Sequence, residues 1–471
     1  MKSENKNFLL NVIYQGLTLA FPLVTVPYVS RSLGAEGIGT YSYTYSIAYM
    51  FMLVGMLGIN NCGNRNIARV RDDFQKRSHT FCSIYGFQLI INIAAVIIYC
   101  IYIFTFQPKY RIICWIQLIY VISNCFDVNW FFFGLEKFKL TITRNAIIKI
   151  SSLILIILFV KAKTDLWLYT LIMAGSTLVS QLYLFFLLPQ YVKFILPKPK
   201  DIFVYTKEIL VLFVPVLAFS IYRVMDKTML GSMSSIDELG CFENAEKIIN
   251  IPVAVISALG TVMLPRMSYV LANQSTNYKI FIRNSMRLTL MLSTAMTIGL
   301  IVISTDAATV LFGPGFEKSG AIISLLAVTV IASAWSNVVR TQYLIPMGRD
   351  SIYVTSTIGA AILNLLINIF TIPRMGAFGA CIGTIVAEYF IAIFQSIATC
   401  RELETGYYIK ILCKYLIKSF GMALAAIVVA SQFNGHLTML IVKIIIFIIT
   451  FLCLNGKYLF TEFFGIKTPI K

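Results

Sequence analysis

Charge is the scarcest ingredient of this chain: Asp, Glu, Lys and Arg make up 13% of its 471 residues, while 58% are hydrophobic. A soluble protein carries about a quarter of its residues charged to cover its surface, so an ordinary soluble fold is excluded. Histidine occurs twice, at His79 and His436, and the ten cysteines are scattered without a CxxC pair. Metal centres and disulfide frameworks need clustered ligands, so no metal site and no catalytic set is expected, and the cysteines read as buried apolar side chains. There is no GxxxxGK[ST] loop, so ATP hydrolysis by this chain is not expected, and no cofactor is assigned. No stretch without helix signals is long enough for an ordinary extramembrane domain. The first residues have no short apolar core with a small-residue cleavage site, so the segment from Phe8 to Ser30 should stay as a membrane anchor.

What the chain has is apolar runs of spanning length, including 7–30, 37–64, 78–108, 166–192 and 351–373. Each meets the roughly 20-residue need of a membrane helix. The expectation is an all-α polytopic membrane protein of about fourteen transmembrane helices. They fall at 8–30, 38–60, 81–106, 111–133, 145–161, 166–189, 208–230, 241–264, 285–303, 319–346, 352–371, 376–397, 415–433 and 437–456. The net charge of +18 is unevenly placed. With the N-terminus inside, the outer segments hold only Arg31, Lys109, Arg111, Lys161, Lys163, Lys318, Arg374 and Lys443, while most other cations, Arg144 among them, fall inside. By the positive-inside rule both termini are cytoplasmic. No folded basic surface remains for nucleic acid.

The segment 188–201 combines three prolines and three lysines between two hydrophobic blocks. It reads as the linker (197–207) between an N-terminal six-helix lobe (1–196) and a second (208–404), with two more helices in 405–471. Leu33-Gly34 to Gly39-Thr40-Tyr41 recurs loosely as Leu230-Gly231 to Gly240-Cys241-Phe242, and Thr177–Gln181 aligns with Thr384–Glu388. An even helix number per half makes such repeats parallel.

Three segments carry a family resemblance: Pro27–Tyr41, Asn129-Trp-Phe-Phe-Phe-Gly-Leu-Glu-Lys-Phe138, and Asp226-Lys-Thr-Met-Leu-Gly231 running on to Glu243–Ile248. A shorter fourth is Leu311-Phe-Gly-Pro-Gly-Phe316. Together, over residues 1 to about 400, the chain resembles the polysaccharide repeat-unit (O-antigen and capsule) flippases of the multidrug/oligosaccharidyl-lipid/polysaccharide exporter superfamily. The resemblance implies two lobes around a central cavity with alternating access, in a bacterial cytoplasmic (inner) membrane. It implies transfer of an undecaprenyl-pyrophosphate-linked oligosaccharide from the inner to the outer leaflet. The partners it implies are the lipid-linked oligosaccharide, membrane lipids, a polysaccharide polymerase and a chain-length regulator.

Such a cargo needs cations for its pyrophosphate, and ionisable groups at membrane depth are costly, about 2.5–3.5 kcal/mol each on the insertion scale. Arg223 and Lys227 stand one helical turn apart, and Lys149, Lys247 and Arg31 complete the candidate substrate-binding cations. Each has a plainer reading. Lys227 and Lys149 are near enough to helix ends to snorkel, Lys247 can pair with Glu243, and Arg223 can pair with Asp226. Asp226, Asp127 and Glu388 are candidates either for ion coupling or for buried hydrogen-bond networks. Glu136 reads as a loop-shaping residue, and the run Trp130–Phe133 as packing more than sugar stacking.

Two other classes remain open. Another exporter of the superfamily, for a lipid-linked peptidoglycan precursor or a drug, would share the fold. A membrane polymerase or ligase would want a larger outer loop than 232–240 or 305–319 supplies.

Overall fold

The structure is a computed structural model. It describes residues 2–106, 109–272 and 278–459, with side chains throughout except at 2–20, 214–215, 218–219, 221–223, 262, 265–266 and 270–272. Every expected span lies mostly on helix, no strand occurs among the described residues, and eleven helices there are long and apolar enough to cross a membrane. The chain divides into two compact units, Met1–Gly240 and Cys241–Lys471.

In the first unit, α1 (Lys2–Met56) contains the first expected span and the second as far as Met56. The segment 31–37, expected as an outer loop, is helical apart from Gly34, whose φ of 71° and ψ of 178° break the helix at one residue. Only glycine takes that conformation without strain, which is why one residue replaces a loop. α2 (Ile59–Val70) buries Ile59, Cys62 and Ile67 and leaves its arginines outside. α3 (Phe74–Phe106) starts at Asp73, whose carboxylate accepts the backbone N–H groups of Gln75 and Lys76 at 3.0 Å. Those N–H bonds, that of Lys76 first, hold the Asp73 carboxyl below its usual range.

The fourth expected span is broken: α4 (Arg111–Ser123) ends in a 3₁₀ turn at 124–126, and α5 (Asn129–Gly134) restarts after it. α6 (Phe138–Phe159), α7 (Leu166–Leu187), the short α8 (Pro199–Phe203) and α9 (Thr206–Met233) follow. α10 (Ile236–Ala272) begins in the first unit and continues into the second.

The polarity of the packing is that of a membrane protein. α3 buries Gln88 and Asn92 while exposing Ile90, Ile93, Ile97 and Ile101. Lipid solvates the aliphatic face, whereas the amides must find partners inside the bundle. Gln88 finds three: its Nε2 donates to the Asn124 and Asp127 carbonyls (2.9 and 2.8 Å), and its Oε1 accepts the Trp130 indole N–H at 2.9 Å. These bonds tie the break between α4 and α5 to α3, and the Asn124 carbonyl also accepts the Asp127 N–H at 3.2 Å. Trp130, fully buried, stacks on Phe81 with centroids 5.5 Å apart, and Phe131 and Phe132 are buried beside it. The first three aromatics of the run are core, and Phe133 is exposed.

In the second unit, α11 (Tyr278–Phe312) packs against α12 (Glu317–Ala327), α13 (Thr329–Val339), α16 (Thr405–Ala430) and α17 (His436–Lys457). A π-helical turn at 340–344 ends α13, and α14 (Asp350–Met375) pairs with α15 (Ala377–Ala398).

Within each unit the basic segments converge at one end. In the first, Arg71 meets Glu136 at 2.7 Å, Arg65 meets Glu208 at 2.6 Å, and Arg77 donates to the Tyr191 carbonyl at 3.0 Å. In the second, Arg283 grips Glu404 through two guanidinium nitrogens, and Arg349 meets Glu402 at 3.1 Å. The opposite ends hold Tyr28 on the Val160 carbonyl in one unit, and Lys443 with His436 on the buried Asp306 in the other.

Candidate functional site: ionisable groups within the helices

The sequence places Arg144 in a basic loop, with the fifth span starting at 145. α6 instead begins at Phe138, so Arg144 lies in its second turn and is only 6% exposed. Its guanidinium donates to Asn129 Oδ1 (2.9 Å), Asn145 Oδ1 (2.7 Å) and the Ser180 carbonyl (3.0 Å). Asn129 in turn gives its side-chain amide to Asp127 Oδ1 at 2.7 Å and to Gln181 Oε1 at 3.1 Å, and its backbone N–H to Asp127 at 3.0 Å. One amide thus bridges a buried cation and a carboxylate, tying α5, α6 and α7 together. The charges offset each other inside the bundle, which is what retaining them at membrane depth requires.

Gln181 and Glu388, aligned in the loose internal repeat, play matching parts. Gln181 on α7 accepts from Asn129 at the start of α5, and Glu388 on α15 accepts the Ser333 hydroxyl of α13 at 2.6 Å. In each unit a polar group on the later helix is bonded by one on an earlier helix. Glu388 is partly buried, at the middle of its span.

The other candidates are placed as follows. Lys247 sits 3.4 Å from Glu243 on α10, the i, i+4 pair foreseen as its plainer role. Asp226 is buried and Lys227 half-buried on α9. Lys149 is half-buried on α6, and Arg31 is exposed three residues before the Gly34 break. Arg223 lies on α9, and its side chain is outside the described residues. Glu136 takes the left-handed conformation (φ 57°) at the end of α5, with the Lys137 N–H on the Phe132 carbonyl and its own N–H on the Phe133 carbonyl. A glycine usually fills that place, and here the glutamate in it pairs with Arg71 at 2.7 Å. Sequence reasoning missed Arg144, Gln88 and Asn92 as organising groups. A polar residue recurring inside an apolar run, as Gln88 and Asn92 do one turn apart, is the signal that marks the last two.

The two copies of the glycine-bearing repeat also meet. A methyl group on Gly39 would overlap the Ile236 carbonyl, one on Gly240 the Ala35 carbonyl, and one on Gly231 the ring of Tyr43. The α1 break and the α9–α10 turn therefore pack backbone to backbone.

A family model described as polysaccharide biosynthesis protein matches residues 5–271. A Shigella dysenteriae protein described as an O-antigen transporter is 23% identical over 401 residues, covering 83% of this chain and 98% of the relative. A protein of the same description from Escherichia coli (strain K12) is 22% identical over 392 residues, covering 82% and 94%. Among solved structures, the lipid II flippase MurJ in an inward closed conformation has a TM-score of 0.71 at 15% identity, covering 96% of this chain and 98% of that one. At that identity the likeness shows a shared fold. Because the family model spans more than half of its length, the chain belongs to the polysaccharide biosynthesis protein family.

Proposed function

We propose that this protein is a flippase that carries an undecaprenyl-pyrophosphate-linked oligosaccharide repeat unit from the inner to the outer leaflet of a bacterial cytoplasmic membrane, for O-antigen or capsule synthesis. One observation carries the reading: charged and amide side chains are retained inside a bundle whose faces are aliphatic, while the longest stretch between α-helices among the described residues is only 188–198. Polar groups kept at membrane depth serve a polar cargo, because the sugar head cannot cross hydrocarbon without a solvating path. The relatives described as O-antigen transporters, matched over nearly their whole length, support the same cargo class.

In this mechanism the two lobes, 1–196 and 208–404, are the moving bodies, and 405–471 is an appended helix pair. Arg223 and Lys227 receive the pyrophosphate, with Lys149, Lys247 and Arg31 supplying further positive charge along its route. Arg is suited to the first contact because its planar fork binds phosphate oxygens in pairs. Asp226, Asp127 and Glu388 either carry a coupling ion or hold the bundle together. The mechanism asks no bond-making chemistry of this chain. An inside-negative potential favours outward movement of the anion by about 2.3 kcal/mol per charge per 100 mV. An outer-face polymerase, working with a chain-length regulator, then consumes the unit.

The test is a deletion strain. It should still make lipid-linked repeat units, which should accumulate where added periplasmic glycosidase or lectin cannot reach them, and surface polymer should disappear. Absence of the lipid-linked unit would point to synthesis instead, and normal display of single units on the outer leaflet to a polymerase or ligase.

A further inference from the structure

A cavity of about 540 Å³ opens on the flank of the first unit, between α6 and the end of α7, at the end where the basic residues gather. It is separate from α9 and from the internal cations assigned to cargo there. Lys137 and Lys139 stand exposed at its rim, and the buried Arg144 lines it as well. The Lys137 ammonium lies 5.9 Å from the centroid of the Tyr191 ring, which also lines the cavity. The one acid in the lining, Glu136, is held by Arg71 at 2.7 Å, so the site presents net positive charge.

The rest of the lining is mostly aliphatic, with Leu140, Ile147, Ile148 and Val179. From Ile147 an exposed strip continues along the same face of α6 through Ile150, Ile154 and Leu158. That spacing of three or four residues makes a single track along the helix.

A cationic mouth leading into an aliphatic track fits an anionic head with a hydrocarbon tail. The hydroxyls in the lining are those of Thr143, Tyr183 and Tyr191, too few to satisfy an oligosaccharide. We propose that this cavity is a binding site for an anionic membrane phospholipid, its phosphate at Lys137 and Lys139 and an acyl chain along the Ile147–Leu158 face of α6. The two exposed lysines supply the charge-assisted bonds, and Arg144, already engaged by its amide partners, supplies field from the floor. The site does not depend on the flippase reading, because its occupancy is measured without transport.

The experiment uses the full chain purified in detergent and native mass spectrometry, with phosphatidylglycerol and phosphatidylcholine of equal acyl length as probes. The wild type should retain phosphatidylglycerol in preference. Lys137→Ala with Lys139→Ala should weaken that retention about tenfold or more, at about 1 kcal/mol per cation, and leave phosphatidylcholine unaffected. The double arginine variant should restore it. Ile147→Trp, which keeps both lysines but fills the aliphatic wall, should also lose the lipid. Equal retention of the two lipids, or an alanine pair indistinguishable from wild type, overturns the proposal. Displacement by inorganic phosphate alone would make this a free-anion site, and tighter binding of a polyprenyl pyrophosphate would make it a cargo site. Either result overturns the assignment to phospholipid.

Discussion

Gly240 rests on the carbonyl of Ala35, so closely that a methyl group there would overlap the oxygen. The shift that carries Gly39 to Gly240 also carries Ala35 to Ile236, and Gly39 rests on the Ile236 carbonyl in the same way. The contact is therefore exchanged between two copies of one motif, each glycine lying on the counterpart of the other's neighbour. In the proposed mechanism the same contact lies between the two moving lobes, so its closeness bears on how they move.

Gly240→Val should insert into the membrane and fail to restore surface polymer in a deletion strain, with Gly240→Ala intermediate. Overpacking of this kind costs about 1–3 kcal/mol, enough to bias a conformational equilibrium without unfolding the chain. Surface polymer and membrane-fraction protein level are the two measurements. Full polymer from the valine variant would show that the close approach is dispensable.

Sidedness follows from the convergence of the basic segments. A reporter fused after Lys200 should behave as cytoplasmic and one near Ser234 as periplasmic, because Asp201 and Arg77 lie at the basic end with their neighbours, while the α9–α10 turn lies with Ala35 at the other. Reversed labelling at either position would overturn the map.

Arg223→Ala should abolish or sharply reduce surface polymer at native expression while leaving insertion intact. Arg223→Lys should retain part of the activity, since charge survives but the bidentate fork does not. Wild-type polymer from the alanine variant would make Arg223 structural.

Gln88→Leu should lower the thermal stability of the detergent-purified protein, because it strands the buried Trp130 indole N–H and removes the side-chain donor from the Asp127 carbonyl, while the Asn124 carbonyl keeps the Asp127 N–H. Each stranded buried group costs about 1–3 kcal/mol. Trp130→Phe should cost less in the Gln88→Leu background than in the wild type, a coupling that a double-mutant cycle would read. Additive effects would deny the link between the two residues.

Glu388→Gln keeps an acceptor for the Ser333 hydroxyl and reproduces the residue type found at Gln181, so the protein should still fold and insert at wild-type level. If Glu388 carries a coupling ion, polymer export should fall despite normal stability, and its dependence on the membrane proton or sodium gradient should vanish. Unchanged export would leave Glu388 as a hydrogen-bond acceptor only.

The helices are legible because their signal is local. An apolar run of spanning length has one satisfactory state in lipid, in which each backbone group bonds within its own helix, so 81–106 and 437–456 can be read without knowing any neighbour. Helix breaks are less legible. Gly34 reads as part of a loop because a sequence shows that glycine can take a left-handed conformation, not that the helix is broken at that one residue alone. Glu136 in its motif reads correctly as loop-shaping, but its partner Arg71 lies far away in sequence.

The candidate site divides along the same line. Sequence determined that Asp127, Glu388 and the α9 charges lie within apolar spans, since a charge in such a run is visible by itself. It also showed the one-sided placement of the cations, a sum over positions that needs no contacts. Only the tertiary structure decided that Arg144 turns inward to Asn129 and Ser180, that Lys247 settles on Glu243, and that the two glycine motifs lie on each other's carbonyls. The physical reason is that burial cost is fixed by residue type and depth, whereas its compensation depends on which group from another helix comes within about 3 Å, a distance set by packing.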